Sequence, residues 1–221
     1  MFKILKNTNN VVLITGANSF LGKSVVENLS KKFTVLKTGT KNSKDLNYFQ
    51  ANLTIKDEAK KLIEWALEKE KKIDFLVCCA GGNKIFPKID DSYNINSKDI
   101  TRLFELNVIT AINCCHYILP HMIERKFGRI CFVGSDLVGK PQENGFLTGY
   151  SISKAALHEY TSHLANQLKN TGILVNCVSP CGIAGSSNDG KTTDVTSDEV
   201  SNKIEFFYNS KLNGKVVRVT K

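Results

Sequence analysis

Nowhere in this 221-residue chain do the roughly 20 consecutive apolar residues of a bilayer-crossing helix occur, so no membrane partner is expected. Met1 to Asn10 has lysines but no long apolar region and no small-residue cleavage site. No signal peptide is expected there, and the expected location is cytoplasmic. The seven cysteines are an odd number and show no Cys-x-x-Cys spacing beside histidines. Six lie inside apolar segments, at Cys78, Cys79, Cys114, Cys115, Cys131 and Cys177. Reduced, buried thiols account for that pattern better than a disulfide framework, and no metal site is expected. The net charge of +9 is not gathered into one basic block with interleaved aromatics, so nucleic acid is not an expected partner. Scattered lysines make a solvated surface that attracts anionic small molecules. Internal repeats, low-complexity tracts and linkers are also absent, which leaves one domain over residues 1–221.

What is present alternates regularly. Val11-Val12-Leu13-Ile14 reads as a strand buried on both faces. Thr15-Gly16-Ala17-Asn18-Ser19-Phe20-Leu21-Gly22 follows, then a helix with Val25, Val26 and Leu29 on one side. Strand, glycine turn and helix place backbone amides at a helix N-terminus, where a pyrophosphate binds. A turn with two glycines and no ligand is the plainer alternative. The second strand is expected over Phe33–Thr38. A carboxylate at its end would select the ribose of NAD. Thr38-Gly39-Thr40-Lys41-Asn42-Ser43 has no acid before Asp45, so Thr40 and Lys41 favour the 2′-phosphate of NADP, with NAD as the alternative.

Ala51–Thr54 reads as a short strand end, and Lys56–Lys69 as a helix carrying Ala59, Leu62, Ile63, Ala66 and Leu67. Ile73–Cys79 is a buried strand ended by Ala80-Gly81-Gly82. A long helix starts at Ser97, with Pro120 expected to kink or divide it. Arg129–Gly134 is a strand that delivers Ser135. Ala155, Ala156, Tyr160, Leu164 and Leu168 mark the buried stripe of the next helix, which sets Tyr150 and Lys154 one turn apart on one face. An ammonium beside a phenol lowers the phenol pKa and prepares it for general acid–base work. A strand-end serine hydrogen-bonds the reacting oxygen. Ile173–Val178 is a further strand, Ala184–Asp198 a polar and mobile stretch, Val200–Tyr208 a short helix and Val216–Val219 a last strand. The alternation predicts a doubly wound parallel sheet with helices on both faces.

Together these residues resemble the short-chain dehydrogenase/reductase family over nearly the whole chain. The resemblance implies a Rossmann-type α/β fold of about seven parallel strands, a nicotinamide cofactor, and a homodimer or homotetramer packed through the helices from Ser97 and Tyr150. It assigns the catalytic positions to Asn107, Ser135, Tyr150 and Lys154. Tyr150 exchanges a proton with the substrate oxygen, and Lys154 tunes it and binds the nicotinamide ribose. Ser135 positions the carbonyl or alcohol, while Asn107 holds a water linking Lys154 to solvent. The pyrophosphate turn maps onto Gly16, Asn18, Ser19 and Leu21, the adenine contact onto Asn52 and Leu53, the ribose loop onto Cys79, Ala80 and Gly81, and the carboxamide clasp onto Pro180 and Ile183.

Several positions depart from the family pattern. Phe20 stands for the middle glycine of the turn, a spelling closer to the extended, sugar-nucleotide branch. Cys78-Cys79 replaces an asparagine pair, and Asn52 an adenine-contacting aspartate. Cys181 replaces a glycine and Gly185 a carboxamide-binding threonine, for which Ser186 or Ser187 substitutes; a glycine-rich tail is absent. The expected activity is NADP-dependent oxidoreduction of a carbonyl or secondary alcohol on a small polar or anionic molecule. A cofactor-binding regulator without turnover is one alternative. A sugar or nucleotide-sugar oxidoreductase of surface polysaccharide synthesis is another, although 221 residues leave little room for that branch's substrate domain.

Overall fold

The computed structural model describes residues 10–83, 95–140, 147–186 and 194–221. Seven strands form one parallel sheet: β1 Val11–Thr15, β2 Thr34–Gly39, β3 Tyr48–Gln50, β4 Phe75–Cys78, β5 Gly128–Val133, β6 Ile173–Pro180 and β7 Lys215–Val219. Their order is β3-β2-β1-β4-β5-β6-β7. Chain order reverses between β1 and β4, which opens a crevice at the carboxyl ends of those strands. Every residue of β1 and β4 is buried, as the unbroken apolar runs require of strands covered on both faces.

The helices are α1 Phe20–Leu29, α2 Lys56–Glu70, α3 Ser97–Phe104, α4 Thr110–Glu124, α5 Thr148–Gln167 and α6 Ser197–Asn209. One core layer joins Leu62, Ile63, Cys114, Ile118, Leu157 and Leu164 under α2, α4 and α5. The other joins Val25, Leu29, Ile204 and Phe207 under α1 and α6. Local chemistry sets the ends. Ser19 caps α1 by accepting from Gly22 N, and a reciprocal Thr196–Glu199 capping box starts α6. Lys71 closes α2 in the left-handed region, its amide donating to Leu67 O.

The structure moves some expected boundaries. β2 runs one residue later than Phe33–Thr38, and β4 is shorter than Ile73–Cys79. The strand expected near Ala51–Thr54 ends at Gln50; beyond it Asn52 Oδ1 accepts from Thr54 N at 3.2 Å, so the backbone turns instead of pairing. The long helix from Ser97 is interrupted by a π-turn at Glu105–Ile109, and α4 continues through Pro120. Pro120 offers no N–H to the carbonyl of His116, and His116 is exposed, so that carbonyl is not buried without a partner. The α5 stripe is rotated from the expected one: Ser153, Lys154, Leu157, Thr161, Leu164 and Ala165 are buried, whereas Ala155, Ala156 and Tyr160 are intermediate. The stretch expected to be mobile is anchored at its described ends, where Ile183 bridges Val195 and Val195 is buried. Residues 187–193 lie outside the described residues.

Candidate active site

The fold carries the site residues to the carboxyl edge of the sheet. β1 ends at Thr15, whose buried Oγ1 accepts from Ala80 N at 3.1 Å and so ties the glycine turn to the β4 exit. Gly16 has φ +62°, and a Cβ there would lie 2.7 Å from the backbone of Cys79 and Ala80. At Gly22 a Cβ would lie 2.2 Å from Gly16 O. No other residue fits either position, so the turn folds back tightly onto α1. Apart from Gly22 N, which donates to Ser19 Oγ, the first amides of α1 have no intrahelical partner. Asn18 reaches the other way, its Nδ2 donating to Tyr48 Oη at 3.1 Å.

The adenosine end of such a site would lie beyond β2. There Thr40 and Lys41 are exposed, and Tyr48 Oη donates to Lys41 O at 2.7 Å. Tyr48 sits over Gly39, where a Cβ would lie 2.8 Å from the phenol oxygen. Asp45, the first acid after β2, is ion-paired with Lys37 and accepts from Asn47 N at 2.8 Å. The Lys37 hydrogen bond, joined by that amide, holds its carboxyl below the usual range. Asn52 is exposed and its side chain is engaged with Thr54, while buried Leu53 gives its carbonyl to Asn113 Nδ2 at 2.9 Å.

At the other end, Ser135, Tyr150 and Lys154 converge. Ser135 follows β5, is 6% exposed, and hydrogen-bonds the Tyr150 phenol. Lys154 Nζ lies 5.6 Å from the Tyr150 ring centre and donates to Val133 O at 2.7 Å. Asp136 N donates to Pro180 O at 2.9 Å, so the β5 and β6 exits are held side by side with Ser135 between them. Ile183, three residues beyond Pro180, is held by its bridge to Val195.

Asn107 stands one step removed from this trio. Its Oδ1 accepts from Gly82 N at 2.8 Å, and its Nδ2 donates to Gly82 O at 3.3 Å and to Ser153 Oγ at 3.1 Å. Ser153 Oγ in turn donates to Tyr150 O at 2.7 Å. The π-turn aims Asn107 at the β4 exit. Gly81 and Gly82 bend there at φ +131° and +128°, and a Cβ on Gly81 would lie 2.4 Å from Asn107 Oδ1. Cys79 is a buried thiol that burial pushes up to about 12, so it is inert at neutral pH.

The electrostatics differ from the sequence-based expectation. Burial raises the Tyr150 phenol to about 12, and the Ser135 hydrogen bond offsets only part of that rise. Burial also lowers Lys154 to about 8. Desolvation dominates at both groups, so the resting phenol is neutral near pH 7.

Three supporting residues had no sequence signal strong enough to single them out. Ser153 stands within the Tyr150–Lys154 turn and resembles any small helix residue. Tyr48 is visible only through the missing Cβ of Gly39. His158 lies one turn beyond Lys154, and a Cβ on Gly134 would lie 2.3 Å from its Nε2. Burial, then Lys154 and Arg218, hold His158 down to about 4, so it packs neutral behind the trio. Of the loops Asn83–Ser97, Asp136–Gly149 and Ala184–Asp198, residues 84–94, 141–146 and 187–193 lie outside the described residues.

A parallel sheet with a tight glycine turn at its switch point and a serine, tyrosine and lysine at its far carboxyl end defines a dinucleotide-type α/β architecture. The chain belongs to the short chain dehydrogenase family, which it matches over residues 10–196. It is 33% identical over 135 residues to the 2,3-dihydroxy-2,3-dihydro-p-cumate dehydrogenase of Pseudomonas putida, an alignment covering 60% of this chain and 49% of that protein. To the 3-oxoacyl-(acyl-carrier-protein) reductase FabG of Buchnera aphidicola it is 29% identical over 213 residues, 89% of this chain and 81% of that one. The chain thus spans about half the length of the first relative. Among solved structures, "ElxO with NADP Bound" superposes with a TM-score of 0.83 at 21% identity, covering 95% and 96% of the two chains. An NADH-dependent reductase A1-R′ complexed with NAD also scores 0.83 at 21% identity, covering 96% and 95%. At that identity the likeness is one of fold. Among the described residues no helix is long and apolar enough to cross a membrane.

Proposed function

We propose that the protein is a nicotinamide-dinucleotide-dependent oxidoreductase acting on a carbonyl or secondary alcohol of a small polar molecule, with NADP preferred. One observation carries the reading: Ser135, Tyr150 and Lys154 meet at one end of a crevice whose other end is the Gly16–Gly22 turn. The tight turn and the first amides of α1 fit a pyrophosphate, and Gly16 lets that turn close onto the backbone of Cys79 and Ala80. Thr40 and Lys41 would hold the 2′-phosphate end, and Lys154, Pro180 and Ile183 the nicotinamide end. The first acid after β2, Asp45, is already engaged by Lys37, which supports the NADP preference. The bound dinucleotide supplies or accepts a hydride at the substrate carbon.

The chain's own residues handle the oxygen. The Tyr150 hydroxyl donates its proton to the carbonyl oxygen during reduction, and takes it back during oxidation. Ser135 Oγ orients that oxygen and stabilises the charge that develops on it. Lys154, positively charged below about pH 8, stabilises the phenolate left behind. Asn107 braces the arrangement through Ser153 and would order a water on the proton's route to solvent.

Purified protein titrated with NADPH and NADH, then screened against carbonyl substrates, tests the proposal. Tyr150→Phe should keep NADPH binding within about twofold and lower turnover by roughly 10²–10⁴. Turnover close to wild type in that variant would refute the assignment. Binding of NADPH with no turnover, unaffected by Tyr150→Phe, would favour the regulator reading, which Phe20 in the phosphate turn motivates.

A further inference from the structure

Phe20 is an exposed aromatic at the first position of α1, where the turn faces the crevice. Its ring does not lie idle in solvent. A Cβ built on Gly185 would stand 3.1 Å from Phe20 Cζ and 3.5 Å from Cε2, so the ring rests against the bare backbone of Gly185. Gly185 belongs to the segment after β6, and α1 follows β1. Between β1 and β6 lie β4 and β5, which end at the crevice. One phenyl ring therefore crosses from the phosphate turn to the segment beyond Pro180.

The crossing is anchored on both sides. Ile183 and Val195 pack in the same cluster as Ala17, Leu21 and Val25. Ser24 Oγ donates to Asp198 Oδ1 at 2.9 Å. The post-β6 segment is thus seated on α1, and Phe20 extends that seam outward. Phe20 is 44% exposed and Gly185 is exposed as well. A ring filling the crevice would be buried; this ring lies at its mouth. At φ +81°, residue 185 favours glycine, and a Cβ there, 3.1 Å from Phe20 Cζ, would make the ring give way.

The geometry points to Phe20 as a latch over the dinucleotide: its ring, seated on Gly185, closes the mouth of the crevice above the pyrophosphate and slows release. This inference rests on the proposed function. The latch holds the cofactor by obstructing its exit, and the contact it makes is with the chain rather than with the cofactor's charge.

Stopped-flow NADPH fluorescence on the full chain tests it, with Phe20→Ala, Gly185→Ala and the double variant. Phe20→Ala should speed NADPH dissociation at least tenfold and association by a similar factor, so that Kd changes little, because the ring contacts the chain alike with and without the cofactor. Gly185→Ala, by displacing the ring, should also speed release, and should add little to release in the Phe20→Ala background. An unchanged dissociation rate in Phe20→Ala would show that the ring only extends the packing seam, and overturns the latch. Tighter binding in Phe20→Ala, or binding by that variant alone, would make the ring a plug and overturns it too, leaving the proposed function standing. Failure of both wild type and Phe20→Ala to bind NADPH or NADH would sink the proposed function and the latch together.

Discussion

Lys154 should cost the protein stability that a neutral side chain would restore. The residue is 4% exposed, and burial lowers its pKa from 10.5 to about 8. The native state therefore binds fewer protons than the unfolded state between about pH 8 and pH 10.5. Wild-type stability rises with pH across that window, and the penalty is fully present below pH 8. At pH 7 it amounts to roughly 3 kcal/mol. Lys154→Met keeps the length and removes the charge. It also leaves Val133 O without its 2.7 Å donor, which costs about 1–2 kcal/mol. The net expectation is a variant about 1–2 kcal/mol more stable at pH 7, or roughly 2–8 °C in Tm, with little turnover. The advantage should shrink by about 2 kcal/mol between pH 7 and pH 9.5, as read by urea denaturation at both values. A variant less stable than wild type at pH 7, or a difference independent of pH, would refute the reasoning.

Two further perturbations probe the frame around the site. Asp74 is buried at the opposite end of the sheet, accepts from Val11 N at 2.9 Å, and pairs with Arg125 and Lys72. Burial raises its pKa, but these partners outweigh it and the net shift is downward. The stability it contributes is thus present above pH 3.8 and lost as pH falls through its lower native pKa. Asp74→Asn should cost about 3 kcal/mol at neutral pH, measured by thermal unfolding; a change below 1 kcal/mol would show the network to be ornamental. Gly22→Ala should cost several kcal/mol or abolish folding, because its Cβ would lie 2.2 Å from Gly16 O; a variant of native stability that binds NADPH normally would show the turn to be more yielding than its geometry.

Elements whose formation depends on local pattern were legible in the sequence. The apolar run at Val11–Ile14 and the glycine turn after it gave the first unit within a residue or so, because a strand buried on both faces leaves an unbroken signature. Tyr150 and Lys154 were placed on one face by their spacing alone. The buried stripe of α5 was less legible: the helix buries Ser153, Lys154 and Thr161, polar residues that hydrophobic periodicity passes over. The π-turn at Glu105–Ile109 has no composition of its own, since it arises from Asn107 docking on the Gly82 backbone, a tertiary contact. Pro120 signalled a break more loudly than the π-turn did, yet helix α4 absorbs it. The direction of the Tyr150 shift was also hidden, because spacing reveals the neighbouring cation and says nothing of how thoroughly both groups are desolvated.

The glycine turn shows which of its positions the fold needs and which are open to change. Gly16 and Gly22 are fixed by contact, the one against the β4 exit and the other against the turn's own carbonyl. Position 20 is held by neither constraint. It is the first residue of a helix, its ring is 44% exposed, and Ser19 supplies the cap whatever side chain follows. Replacing glycine by phenylalanine there leaves the backbone path intact and changes only what stands at the mouth of the crevice. The same separation holds at the far end, where Pro180 O is tied to Asp136 N while Gly185 is constrained only by its own φ and by the ring of Phe20. Positions 20 and 185, the two departures that meet in space, are thus ones the sheet does not need. A change at either should alter how a dinucleotide enters and leaves while the sheet beneath keeps Ser135, Tyr150 and Lys154 in place.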